Sequence, residues 1–212
     1  MKFIPFVLSA VAAVAATGAR ADAVTDWNIK SGEVITEARI GTPPAVRVMA
    51  IVQTAALQAV QSAQQRQASA EAALAAAHRV ALTKLLPAQQ ASIDAAAQAA
   101  LAAIADGSAK QAGIAAGEAA ANAVLAARAG DGAPTPKAYR RHTTPSAYVP
   151  TAAVAVPQWS QRKPWVMTSA SQFRPGPPPA LASVQWARDF EEVKALGGLH
   201  IATAYSLIAK AP

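Results

Sequence analysis

Three histidines, one acidic cluster and one basic run are the groups in this 212-residue chain whose types could do chemistry. His78, His142 and His200 are spaced so that no pair falls at i, i+3 or i+4 of a helix, and there is no cysteine to join them. A tetrahedral zinc site therefore has no local nucleus. Asp189, Glu191 and Glu192 could supply a general acid and base. Adjacent helical acids point to different sides, however, and Arg188 and Lys194 flank them, so a solvated helix face is the plainer reading. Composition admits a Ser-His-Asp triad, but no G-x-S-x-G turn exposes a nucleophile. Neither a G-x-x-x-x-G-K-[ST] phosphate loop nor a Rossmann glycine pattern occurs. No residue is assigned as catalytic, cofactor-binding or metal-ligating.

The first 21 residues read as a secretory signal. Lys2 gives the positive start, Phe3 to Ala16 the apolar stretch, and Ala19-Arg20-Ala21 an A-x-A ending. The stretch is shorter than the roughly 20 residues of a span, so cleavage is preferred over an uncleaved anchor. Export to the periplasm or medium is the expectation, with no membrane span left after cleavage. The mature chain would carry 17 basic against 12 acidic residues, a net charge of +5. Nucleic-acid binders gather their Lys and Arg on one face. Here the nearest approach is the run Lys137 to His142, which reads as a solvated turn, so no nucleic-acid partner is expected. Without cysteine an exported fold has no disulfides, and stability must come from packing.

The elements that would position any site are mostly helical. Periodicity and breakers predict a first helix over Asp22–Ala38, capped by Asp22 or Thr25. A second follows over Pro44–Gln64 with Thr42 as cap and Val46, Met49, Ile51, Val52, Leu57 and Val60 on a buried face. A third over Ser69–Leu86 aligns Leu74, His78, Leu82 and Leu85 on one stripe, which favours a core or boundary role for His78. A fourth runs from Pro87 to Ala105 with Ile93, Ala97, Leu101 and Ile104 on one face. A fifth runs to Ala129, capped by Ser108, with Gly113, Gly117 and Ala121 marking a close-packing face. Much of the 53% apolar content is alanine, which favours helix but offers little area to bury.

From Ala133 to Ala180 proline excludes regular helix over most of the length. Tyr139, Tyr148, Trp159, Trp165 and Phe173 lie in the same stretch. It reads as an extended wrap whose aromatics would supply the bulk the bundle lacks. Leu181–Leu196 returns to helix, with Val184, Ala187 and Val193 near one face and Trp186 and Phe190 at i and i+4. The expected fold is all-α: a signal at 1–21, an Ala-rich bundle at 22–132, the Pro-rich segment at 133–180 and a helix at 181–197. A divergent end occupies 198–212.

The order of several segments resembles secreted vanadium-dependent haloperoxidases, relatives of the type 2 phosphatidic acid phosphatases. These are Ala21 to Asn28, the Pro43-Pro44 break, Leu85-Leu86-Pro87-Ala88-Gln89, Ile104 to Gly107, and Gly113 to Ala120. Pro157-Gln158-Trp159, Trp165 to Ser169, Ser171-Gln172-Phe173-Arg174-Pro175 and Phe190 to Lys194 complete the set. The resemblance implies helical bundles and a vanadate or phosphate site built from Lys-x6-Arg-Pro, Pro-Ser-Gly-His and Ser-Arg-x5-His segments. Cationic side chains and backbone amides neutralise the oxyanion there, while histidines ligate it and move protons. None of those segments occurs here. Met167, not lysine, stands seven residues before Arg174, and Glu33, not histidine, follows Ser31-Gly32.

The resemblance fades after Gly197, as a frameshift or premature stop near that point would produce. The expectation is the exported N-terminal helical portion of such a protein, truncated before its oxyanion site and inactive alone, with no cofactor of its own. Its partner would be a separate catalytic half or another copy of the chain. The competing reading is a periplasmic helical binding or scaffold protein without catalysis.

Overall fold

The computed structural model describes residues 22–144 and 147–197, so the expected signal at 1–21, His200 and the rest of the divergent end at 198–212 lie outside the described residues. The fold is all-α over what is described: α1 (Ala23–Glu37), α2 (Thr42–Gln65), α3 (Ala70–Leu85), α4 (Gln90–Ala102), α5 (Ser108–Arg128) and α6 (Val184–Leu196). Single 3-10 turns cover Pro157–Gln161 and, between α3 and α4, Pro87–Gln89. The chain divides into two compact units after Gly130.

Short polar side chains set several helix starts. Asp22 Oδ1 accepts the Thr25 N–H at 2.8 Å, and Ser69 Oγ accepts the Ala72 N–H at 3.1 Å, satisfying donors that a helix leaves open in its first turn. Two expected caps move by one residue. Gly41, not Thr42, precedes α2, and Gly107, not Ser108, precedes α5, neither with a side-chain bond. Pro43 explains the first case: lying in the first turn, it forfeits no helical hydrogen bond, and the helix therefore begins ahead of it. At the far end of α2, Gln67 takes φ 54° and the Ala68 N–H bonds Ala63 O at 2.9 Å, the closed reverse turn in which glycine is the commoner occupant.

In the first unit α3 is the central helix, packed against α1, α2, α4 and α5. Every residue from Ala72 to His78 is buried, as expected for a helix enclosed on all sides. The core is largely alanine: Ala55, Ala56, Ala59 and Ala63 on α2 meet Ala73, Ala77 and Ala81 of α3 and Ala116, Ala120 and Ala121 of α5. An alanine methyl contributes only about 0.8 kcal/mol by burial, so such a core gains from close backbone approach and the dispersion contacts it brings. Gly113 and Gly117 permit that approach. A Cβ on Gly113 would run into Ser69 O, and one on Gly117 would run into Ala73 O and lie 2.9 Å from the Ala76 Cβ. The Ser69 N–H also bonds Ala109 O at 3.0 Å, pinning the starts of α3 and α5 together.

The expected apolar face of α2 is partly corrected. Ile51 and Val52 are fully buried, but Val46 and Leu57 are 59% exposed, because α2 turns its alanines toward α3 and α5. The buried stripe thus joins Val48, Ile51 and Val52 to Ala55, Ala56, Ala59 and Ala63, and side-chain size does not decide its membership.

In the second unit residues 131–183 carry no α-helix among those described. Asp131 organises the start. Its Oδ1 accepts the Ala133 N–H at 3.0 Å and lies 3.7 Å from Arg162 Nη1, while Arg162 Nη2 donates to Ala133 O at 3.0 Å. Arg162 also covers the Trp159 ring at 4.9 Å, and the Lys163 N–H bonds Asp131 O at 3.0 Å. The expected burial of the segment's aromatics is corrected: Tyr148 is 78% exposed, Phe173 76% and Trp165 46%, with Tyr139 and Trp159 only partly covered. Proline supplies the physical reason. With no regular hydrogen-bonded frame, consecutive side chains are not collected on a single face.

Candidate functional site

His78 is the most unusual titratable group. It lies on α3 and is buried; its Nδ1 is 2.9 Å from Leu74 O, the i−4 carbonyl of its own helix. The ring stacks on Trp27 of α1 with centroids 4.8 Å apart and planes 23° from parallel. Ser31, one turn beyond Trp27, is also buried and donates its hydroxyl to Trp27 O at 2.7 Å. The Leu74 bond makes Nδ1 the donor, leaving Nε2 as the basic atom, buried without a hydrogen-bond partner. Burial pushes the ring down to about 4, the Leu74 carbonyl opposing the shift. A neutral imidazole stacked in a core has no substrate to reach. This is the core histidine that its stripe in α3 implies.

The remaining groups are dispersed. His142 is exposed and meets Tyr139 edge-on, centroids 6.5 Å apart. On α6 the acids behave as a solvated face: Arg188 pairs with Asp189 at 2.8 Å and Lys194 with Glu191 at 3.4 Å, all four side chains well exposed. Arg79 of α3 reaches Asp94 of α4 at 2.7 Å, and the bonds from Arg79 and Gln90 hold the Asp94 carboxyl below the usual carboxylate range. Among the described residues no three His, Asp or Glu side chains gather as a metal would need.

Three concavities among the described residues bear on function. A groove of about 560 Å³ is lined by Arg79, Val80, Thr83 and Lys84 of α3 and by Asn122 and Leu125 of α5. A cleft of about 350 Å³ sets Asp22, Asp26 and Glu71 around Trp27 and Ile104. In the second unit a cleft of about 340 Å³ is edged by Lys137, Arg140 and Arg141, with Tyr139, Val154 and Pro157. That last cleft has the cations an oxyanion requires but no lining histidine to ligate or attack one. The fit to vanadate fails among the described residues, Arg174 being exposed in a turn as well.

The Asp131–Arg162 node was not visible in the chain, where Asp131 reads only as part of a helix-ending Gly130-Asp131-Gly132. A second feature is available in the sequence. Between Asp131 and Asp189 there are seven Lys and Arg and no Asp or Glu. Compared with protein-family models, curated proteins and solved structures, the chain matches none.

Proposed function

We propose that this chain is an exported, non-catalytic helical part of a haloperoxidase- or acid phosphatase-like protein, and that it serves as the platform for a part bearing the oxyanion-binding Lys, Arg and His residues. The observation carrying this reading is α6. Trp186, Phe190 and Val193 fall at i, i+4 and i+7, the two rings stack at 5.0 Å, and the helix has no buried residue. Such a stripe is the anchor pattern of a helix that packs against something else. The order of family-like segments ending at the same helix supports the choice of partner.

A second reading, a periplasmic helical binding protein, is favoured by the groove between α3 and α5. Its Leu125 and Val80 floor, with Arg79 and Lys84 at the rim, would suit an acidic amphipathic helix.

The test is turnover. The purified chain is assayed with vanadate, peroxide and bromide, and separately with a phosphate monoester. The expected result is no rate above the protein-free control. A rate removed by substituting any residue of this chain would overturn the proposal. The two readings separate on Val193→Asp, which should abolish pairing with a catalytic part and leave binding of an acidic helix to the α3–α5 groove unchanged.

A further inference from the structure

Residues 163–174 are not among the lining residues of the clefts described above. Within this stretch Val166 is 95% exposed, Phe173 76%, Trp165 46% and Met167 42%. Val166 and Phe173 stand in water and Trp165 and Met167 are only partly covered, which is unfavourable over so short a stretch unless something covers them. The segment is nevertheless an organised turn. Gln172 Oε1 accepts the Thr168 N–H at 2.8 Å and the Thr168 hydroxyl at 3.2 Å, the Gln172 N–H bonds Ser169 O at 3.2 Å, and the Arg174 N–H bonds Ser171 O at 3.0 Å. The base of the turn is fixed where the Lys163 N–H bonds Asp131 O and Arg162 spans Asp131 and Trp159.

Charge narrows what the covering surface can be. Lys163 and Arg174 bracket the apolar tip and both are exposed. Between Asp131 and Asp189 the ionisable side chains other than Tyr and His are all basic. A protein partner with an ordinary mixed surface would not need that bias. A soluble polyanion would answer the charge but leave Val166 and Met167 in water. An anionic phospholipid surface answers both, receiving aromatic and aliphatic tips at the headgroup boundary and Lys and Arg at its phosphates.

We propose that residues 163–174 form an interfacial loop that seats this protein on anionic phospholipid bilayers, with Trp165, Val166, Met167 and Phe173 inserted and Lys163 and Arg174 at the phosphates. The inference does not depend on the catalytic partner proposed for α6, and failure of one leaves the other standing.

Vesicle co-sedimentation tests it, with the chain from Asp22 onward, whose core is drawn wholly from residues 27–124. Vesicles are neutral phosphatidylcholine, alone or with about 30 mol% phosphatidylglycerol, enough to create a negative surface potential. Binding should be at least about tenfold tighter to the anionic vesicles, since each basic residue near such a surface strengthens binding roughly fivefold. Val166→Asp/Phe173→Asp should lose about tenfold or more while the far-ultraviolet circular dichroism is unchanged, both side chains being exposed. Lys163→Ala/Arg174→Ala should remove most of the preference for anionic lipid. Equal binding to both vesicles overturns the proposal. So does binding to heparin that matches binding to lipid and is indifferent to Val166→Asp/Phe173→Asp, which would reveal a simple polyanion site.

Discussion

Between residues 23 and 128, Val34, Ile51, Val52, Leu82 and Ile93 are wholly buried among alanines, whereas between 131 and 197 Val166, Phe173, Val184 and Val193 are each at least 68% exposed. The first unit has few large apolar side chains and encloses most of them by bringing helix backbones close together. The second has bulkier side chains and, among its described residues, only the one α-helix α6. The contrast shows that burial follows the packing of one helix on another more than the size of the side chains, since Val184 and Val193 stay exposed although α6 is a regular helix. It also places the buried apolar core of the described residues in the first unit.

The largest expected effect tests whether the small-residue core holds a histidine neutral. In the unfolded chain His78 would titrate near 6.5 and in the fold near 4, so the native state disfavours the proton. Stability is then complete above about pH 6.5 and falls as pH drops toward 4, by about 3 kcal/mol over the whole window. Urea titrations at pH 7 and pH 4.5 should show most of this loss, and His78→Phe, which keeps a ring against Trp27, should flatten it. An unchanged slope in that variant would mean that other groups set the acid limit.

The next concerns close approach. Gly117→Ala should destabilise the first unit by about 1–3 kcal/mol, since the new methyl meets Ala73 O and overpacks the α3–α5 contact. Gly32→Ala on α1 meets nothing within 4 Å and should stabilise by about 0.5–1 kcal/mol through helix propensity alone. The opposite signs of one substitution at two helical glycines would sharpen the contrast between a packed and an open face. Equal signs would break it.

The smallest effect belongs to α6. Val193→Asp should change the unfolding free energy from urea titration by no more than about 0.5 kcal/mol, because the side chain is already in water. A large loss would mean that α6 is part of the folded core after all.

The helices were legible in the chain because their breakers were explicit: Pro43, Pro87, Asp106-Gly107 and Gly130-Asp131-Gly132 each fall at an observed boundary. His78 was legible too, from the stripe it shares with Leu74 and Leu82. The faces were less so. Large residues such as Val46 and Leu57 were the natural candidates for the core of α2, yet alanine offers nearly the same signal all round a helix and lets close approach decide. That decision was made on another helix, at Gly113 and Gly117. The Pro-rich segment hid most, since Asp131 and Arg162 meet across an irregular backbone that no period describes. Of the candidate groups, Lys137, Arg140 and Arg141 do line one cleft, while Asp189 and Glu191 of α6 pair with their neighbours.

The most direct test of the platform role is to read the genomic DNA past the codon for Gly197 in all frames. The expected result is a Lys-x6-Arg-Pro segment followed by Pro-Ser-Gly-His, in this or a shifted frame, which would supply the oxyanion site that α6 is proposed to seat. Finding neither segment in any frame would contradict the proposed relationship and leave the binding-protein reading in its place.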